Sequence, residues 1–357
     1  MRGRSRSPSS GRPAPLSTPV SAATVAAVGE RGLIARIRAR LPEAPAWLHA
    51  GPGDDAAVAA PERGALEILT TDALVEGVHF DWRFSAPADV GWKALAVNVS
   101  DVAAMGGTPR LALLSLALPE TLALDSLDGL VDGFLAMAAA ARVALAGGNV
   151  TRSPGPLVVD VTVTGSAKPR RVLTRGGARS GDAIYVTGAV GAAAAGLGWL
   201  RAHADLIAEP RDAGERACVE RYRRPEPRAR IGALAGRNRA ASACMDLSDG
   251  LADAVRQVAE ASGVGARLDA EALPIPAAAA RLFESAGVDP IGAALAGGDD
   301  YELLFAVPRR MRGRLTTVAR QSRGVPLTRI GEFTRDTGVR LSRGGREEPL
   351  PAGFVHF

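Results

Sequence analysis

From Trp92 to Gly106 the chain reads WKALAVNVSDVAAMG, a helical stretch in which nearly every neighbour of Asp101 is small and apolar. An ionised carboxylate in such surroundings is costly unless it is paired or bound to a cation. The fold must therefore bring a counter-charge or a metal to Asp101, or leave that turn of helix in water.

The segments around this helix alternate between strand and helix patterns. RGLIARIRARL (32–42) places Leu33, Ile34, Ile37 and Leu41 at helical spacing, and LEILTTDAL (66–74) reads as a buried strand. The helix of 86–106 is followed by a strand (RLALLSLALP), a helix (LDSLDGLVDGFLAMAAAAR) and an alternating strand, LVVDVTVTGSA (157–167). A basic, glycine-rich connector, KPRRVLTRGGARSGD (168–182), comes next. Beyond it lie the strand AIYVTG, an Ala/Leu helix over 192–202, a helix after MDLSDG, the strand ELLFAVP (302–308) and a strand-rich C-terminus. This pattern predicts an α/β (α+β) chain of two mixed α/β domains, 29–168 and 169–357, behind a disordered tail of residues 1–28.

Composition narrows the function. The net charge is +5, but Arg2, Arg4, Arg6 and Arg12 supply +4 of it before the first acid, Glu30. The remainder is nearly neutral and only 4% of residues are aromatic, so no nucleic-acid footprint is expected. No apolar run is long enough to span a membrane, and the tail lacks the apolar stretch of a secretory signal. Two cysteines, Cys218 and Cys244, form no metal or disulfide pattern, which points to a reducing cytoplasm. VTGAVGAAAAGLG (186–198) lacks the G-x-G-x-x-G spacing of a dinucleotide fingerprint and reads as close strand–helix packing.

The acids recur in short polar clusters. GPGDD carries Asp54 and Asp55; TTD carries Thr70, Thr71 and Asp72; NVSD puts Asn98 and Asp101 at i and i+3 on one helix face. GGNVTR places Asn149 and Arg152 in a glycine turn, and MDLSDG gives Asp246, Ser248 and Asp249. Each has an ordinary structural explanation: turn chemistry for Asp54 and Asp55, an N-cap and an N3 acid for Asp246 and Asp249, β-propensity for the threonines. Together they form an all-oxygen donor set without His or Cys, which suits Mg²⁺ bridging carboxylates to phosphates. Neither Lys93 nor Lys168 follows a glycine, so no Walker A lysine is present and metals must neutralise any polyphosphate. The glycines of GGNV and TRGG would let backbone N–H groups approach phosphate oxygens, with Arg175 as a charged clamp.

In order and spacing, GDDAAV, TTDALVEGVHF, KALAVNVSDVAAMGGTP, LTRGGARSGD, DLSDGL and GGDDYELLF resemble the motifs of bacterial thiamine-monophosphate kinases, from about residue 30 to the C-terminus. That family lies within the superfamily of aminoimidazole ribonucleotide synthetase and selenophosphate synthetase. The resemblance implies a homodimer paired through the N-terminal domain sheet. It also implies a first domain that binds ATP and metal, and a second that completes the cleft. By the same resemblance Asp55, Thr70, Thr71, Asp72, Asp101, Asn149, Asp246 and Asp249 hold several Mg²⁺ ions, with Asp72, Asp101 and Asp246 at the catalytic centre. Gly148, Asn149, Arg175 and Ser248 would contact ATP, and His79, Asp299 and Phe354 the thiamine phosphate.

Two positions depart from the family pattern: Asn149 stands where an Asp is usual, and Asp299 where a Glu is usual. The implied reaction is transfer of the γ-phosphoryl group of ATP to thiamine monophosphate, in line. The acceptor phosphate is already ionised near neutral pH, which explains why the clusters contain no obvious base. A catalytically silent nucleotide- or thiamine-phosphate-binding regulator and a different ATP-dependent synthetase of the superfamily are the alternatives. Residues 1–60 contain neither the Cys nor the Lys that selenophosphate synthesis would favour.

Overall fold

The computed structural model describes residues 23–204 and 209–353. Its N-terminal half comprises α1 (Val25–Arg38), a short hairpin of β1 (Leu48–Ala50) and β2 (Val58–Ala59), then β3 (Leu66–Val75), α2 (Pro87–Ala104), β4 (Thr108–Pro119), α3 (Leu124–Ala141), β5 (Ala144–Ser153) and β6 (Val158–Ala167). The C-terminal half runs through β7 (Ala183–Thr187), α4 (Ala192–Ala202), α5 (Ala213–Arg223), α6 (Ala229–Asn238), β8 (Ala243–Asp246), α7 (Leu251–Ser262) and β9 (Gly265–Asp269). It ends with α8 (Ala277–Ser285), α9 (Pro290–Ala296), β10 (Leu303–Val307), α10 (Arg312–Arg320), β11 (Leu327–Thr334), β12 (Val339–Arg343) and β13 (Arg346–Pro349).

Each half has its own mixed sheet. The first is four-stranded in the order β3-β6-β4-β5, with β4 and β5 parallel; the second is seven-stranded, β13-β12-β9-β11-β7-β10-β8, with β12 and β9 parallel. On β3, Ile68, Thr70, Asp72 and Leu74 alternate with the more exposed Leu69, Thr71 and Ala73, so one strand presents two different faces. The inner face meets α2 and α3. Across β6 and β4 the outer face carries Leu69, Thr71, Thr162 and Leu113.

Helix α2 organises the molecule. Fourteen of its eighteen residues are buried, and glycines from three sides let backbone reach it. A Cβ on Gly91 would lie 1.8 Å from the Leu130 carbonyl of α3, and one on Gly232 of α6 would lie 2.0 Å from the Ala103 carbonyl. The same helix thus packs against its own sheet, against α3 and against the second domain. A side chain on it can face the junction between the two halves.

The sequence reading needs three corrections here. The segment expected to be a tail ends too late: Thr24 bridges to Ala123, the Val25 N–H donates to the Leu122 carbonyl at 3.0 Å, and Val25 is buried at the start of α1. Residues 147–152, expected as a glycine turn, are part of strand β5, where a Cβ on Gly148 would lie 1.9 Å from the Leu114 carbonyl of β4. Asp246 and Asp249 do not cap a helix, because Asp246 closes β8 and the N-cap of α7 is Gly250. Both cysteines are free and buried, and burial pushes the Cys218 thiol up to about 11.

Candidate active site

A cleft of about 630 Å³ opens between the two halves. Its N-terminal wall is the end of β3, the loop after it and the middle of α2, contributing Asp72, His79 and Asp101. Its C-terminal wall comes from Arg175 of the connector, α4, the loop Leu247–Gly250 and the loop before β10, contributing Asp246, Ser248, Asp249 and Asp299. The two C-terminal loops are held together by backbone. The Asp299 N–H donates to the Ser248 carbonyl at 2.8 Å and the Tyr301 N–H to the Leu247 carbonyl at 3.0 Å. Gly298 is required there, since a Cβ would lie 2.4 Å from the Ser248 carbonyl.

The acids at the floor of this cleft are crowded, with Asp72 and Asp101 half-buried and Asp246 buried. Asp246 is 3% exposed, and among the described residues its direct side-chain donor is the Ser100 hydroxyl at 2.7 Å. Burial, then the charge of Asp101, pushes the Asp246 carboxyl up to about 7. Burial, followed by the charges of Asp101 and Asp246, does the same to Asp72. Asp101 is also raised, chiefly by burial, although a hydrogen bond from the Thr70 hydroxyl (2.5 Å) opposes the shift. The Arg175 charge acts on both Asp101 and Asp246, and its guanidinium donates to Gln257 at 2.6 Å. The site therefore gathers more negative charge than its own side chains balance.

A second arrangement lies around Asp299. Its carboxylate accepts from the Lys93 ammonium at 3.1 Å and from the Tyr301 hydroxyl at 3.1 Å. The Lys93 side chain is 4% exposed and sits 4.1 Å over the Tyr222 ring. Tyr222 in turn donates to the His79 carbonyl at 3.1 Å, and His79 Nδ1 accepts the Val75 N–H at 3.0 Å. Asp299 adopts a left-handed backbone (φ 67°), as does Tyr301 (φ 47°). The neighbouring acids serve the scaffold: Asp300 accepts the Gly191 and Ala193 N–H groups at the start of α4, and Glu302 is held by Arg221, Arg228 and Thr187.

The structure thus brings together Asp72, Asp101, Asp246, Asp249, Arg175, Ser248, His79 and Asp299, and Thr70 touches the set through Asp101. It does not bring Thr71, whose hydroxyl lies on the other face of β3 and donates to Asp160 at 3.1 Å. Asn98 does not line the cleft beside Asp101: it is fully buried, donates to the Ala94 carbonyl, and its Oδ1 has no partner among the described residues. Asp55, Gly148 and Asn149 line a different groove of about 440 Å³ beneath α1, with Arg31 and Arg38. Phe354 lies outside the described residues. Lys93, Arg201, Tyr222 and Tyr301 were not singled out from the sequence. Of these, Lys93 carried a usable signal, being a lone cation in the same apolar helix as Asp101.

The donor set fits a hard cation. Every acidic group on the floor is a carboxylate, and two are pushed up to about 7 for want of positive charge. Among the described residues no group of three or more His, Cys, Asp or Glu side chains is placed to hold a metal ion by itself. Mg²⁺ seldom relies on such a group, since it keeps waters and is completed by phosphate oxygens. Asp72, Asp101, Asp246 and Asp249 are the residues that would hold it.

Two domain models match the chain: the AIR synthase related protein N-terminal domain over residues 53–167 and the corresponding C-terminal domain over 179–343. The fold is therefore that of the AIR synthase related class. Within that class, the chain is 40% identical over 336 residues to the thiamine-monophosphate kinase of Salmonella typhimurium, covering 93% of this chain and 99% of that one. The crystal structure of thiamine-monophosphate kinase from Stenotrophomonas maltophilia K279a superposes with a TM-score of 0.77 at 39% identity, covering 88% of this chain and 96% of that one. The structure of AaThiL complexed with AMPPCP and TMP gives 0.73 at 33% identity, covering 92% and 97%. The chain belongs to the thiamine-monophosphate kinase family.

Proposed function

We propose that this chain phosphorylates thiamine monophosphate with ATP, giving ADP and thiamine diphosphate by direct in-line transfer in the interdomain cleft. The observation that carries the proposal is the crowded set of carboxylates facing a two-domain cleft, Asp246 buried and Asp72 and Asp101 half-buried, in a chain of this family. A relative solved with an ATP analogue and TMP supports the same pair of ligands. Several Mg²⁺ ions, when bound at these acids, would offset the repulsion between donor and acceptor phosphates and polarise the transferred group.

The chain's own residues supply the remainder. Thr70 and Ser100 fix the orientation of Asp101 and Asp246. Arg175 and Ser248 face the phosphate chain of ATP. Asp299, held by Lys93 and Tyr301, meets the cationic thiamine part of the acceptor, with His79 on the N-terminal wall of the cleft. Asp55, Gly148 and Asn149 would serve the nucleotide from the groove beneath α1. The working division is one domain to residue 168 and a second from 169. The enzyme acts as a homodimer through the outer face of the four-stranded sheet, where Leu69 is 69% exposed and Leu113 37%. No described helix is long and apolar enough to cross a membrane, and we place the enzyme in the cytoplasm with both thiols reduced.

A coupled assay of ADP release, with and without thiamine monophosphate, tests the reading. ADP formation dependent on thiamine monophosphate is expected. Tight binding of both ligands without ADP release would favour the regulator instead.

A further inference from the structure

At the C-terminal end of α2 the two halves form another groove, of about 460 Å³, that shares no residue with the cleft. Arg142 and Lys168 reach it from the first half, Arg171 from the connector, and Arg230 and Arg237 from α6; Glu62 is the one acid in its lining. The walls are fixed by close backbone contact, since a Cβ on Gly236 would lie 2.5 Å from the Arg171 carbonyl.

The charge in this groove is left without counterions. Lys168 has Glu62 at 3.5 Å, but none of the four arginines has a carboxylate within ion-pair distance among the described residues. Elsewhere exposed arginines do find partners, as Arg36, Arg281 and Arg343 show. Arg230 and Arg237 are instead oriented by one neutral residue, donating to the Gln321 carbonyl at 3.0 Å and to its Oε1 at 3.3 Å. Four guanidiniums converge on a cavity, two of them aligned without being neutralised. Planar guanidinium forks match phosphate oxygens. A single phosphate carries about −1.5 to −2 at neutral pH, short of what four unpaired guanidiniums can meet.

We propose that this groove binds a di- or triphosphate anion, which would straddle the domain junction at the opposite end of α2 from Lys93. The inference is independent of the reaction proposed for the cleft.

The test is calorimetric titration of the full chain with inorganic pyrophosphate in EDTA, where the metal-free carboxylates of the cleft repel the anion. Binding is expected to weaken with added salt. It should fall at least about tenfold in the double variant Arg171→Ala/Arg237→Ala, fall measurably in Arg142→Ala, and stay unchanged in Arg175→Ala. All the substituted groove residues are exposed, so melting temperatures should hold. ATP without Mg²⁺ binding no tighter than pyrophosphate would identify the phosphate chain alone as the ligand; tighter binding would identify a nucleotide. The proposal is overturned if pyrophosphate gives no heat, if sulfate at equal ionic strength competes equally, if the groove variants bind normally, or if Arg175→Ala alone abolishes binding.

Discussion

The interdomain cleft and the groove beneath α1 both hold acids that stand out in the sequence, yet they differ in what surrounds those acids. Asp246 is almost completely buried among other carboxylates, whereas Asp54 and Asp55 are exposed and face Arg31 and Arg38. Water and nearby arginines can satisfy the exposed pair, and the Asp54 carboxylate accepts the Asp55 N–H at 3.2 Å, as ordinary turn chemistry would have it. The cleft acids have less relief: Thr70 and Ser100 each donate one hydrogen bond and Arg175 adds one charge, while the carboxylates raise one another. Burial thus turns a carboxylate from a local turn element into a demand for a cation, and the cleft is where that demand is strongest.

The largest effects should come from removing the cleft acids. Asp101→Asn and Asp246→Asn should each lower turnover by about a thousandfold or more, the scale of losing several kcal/mol of transition-state charge stabilisation. Both should stay folded, because each removes a crowded charge. Asp55→Asn should cost less than about tenfold, since its surroundings are wet. Steady-state rates of the three variants at saturating Mg²⁺ and ATP rank the regions, and equal losses would erase the distinction between them.

Next in size is Lys93→Met, which leaves Asp299 without its ammonium partner. The KM for thiamine monophosphate should rise about tenfold, roughly 1.4 kcal/mol, with the KM for ATP unchanged. Lys93→Arg should restore part of the loss. A rise in both KM values would show that Lys93 supports the whole cleft and not Asp299 in particular.

The cleft acids also set a pH dependence. The Asp72 and Asp246 carboxyls titrate near 7 in the folded chain, above the usual value of about 3.9. Their contribution to stability is fully present below the unfolded value and is lost as pH rises through about 7. The metal-free protein should therefore melt several degrees lower at pH 8 than at pH 5.5, and Mg²⁺ should recover part of the difference at pH 8. Asp300, also near 7, adds a component of the same sign that Mg²⁺ leaves untouched, because it is bonded to α4 and not exposed to the cleft. Melting curves that do not respond to Mg²⁺ at pH 8 would count against a cation site.

The smallest effect concerns Asn149. Restoring a carboxylate with Asn149→Asp should lower the Mg²⁺ needed for half-maximal rate by several-fold, since one extra ligand charge is partly spent on desolvation. An unchanged or higher requirement would mean that Asn149 serves the nucleotide through its amide and not a metal.

Much of this site was legible because α2 is so uniformly apolar: a carboxylate at Asp101 had to be answered from elsewhere in the fold. The same logic applies to Lys93 one face away, yet a lone lysine reads as a solvated side chain until Asp299 is brought to it by a loop some 206 residues distant. Strand alternation decided what local spacing could not, sending Thr70 to Asp101 and Thr71 to the opposite face. Helical spacing misled at Asn98, which points into packing while Asp101 reaches the cleft. In DDYE only the resemblance singled out Asp299; local spacing does not show that Asp300 and Glu302 belong to the scaffold, because α4, Arg221 and Arg228 hold them there.

The central claim, that the crowded carboxylates of the cleft are a cation site, is tested most directly by proton release. Two cleft carboxyls titrating near 7 hold protons that a bound cation displaces, so Mg²⁺ binding to the metal-free chain at pH 7 should release protons. Mixing in weakly buffered solution with a pH indicator should show that release, and Asp246→Asn should reduce it by about half. Mg²⁺ binding without proton release, or release undiminished in Asp246→Asn, would contradict the account.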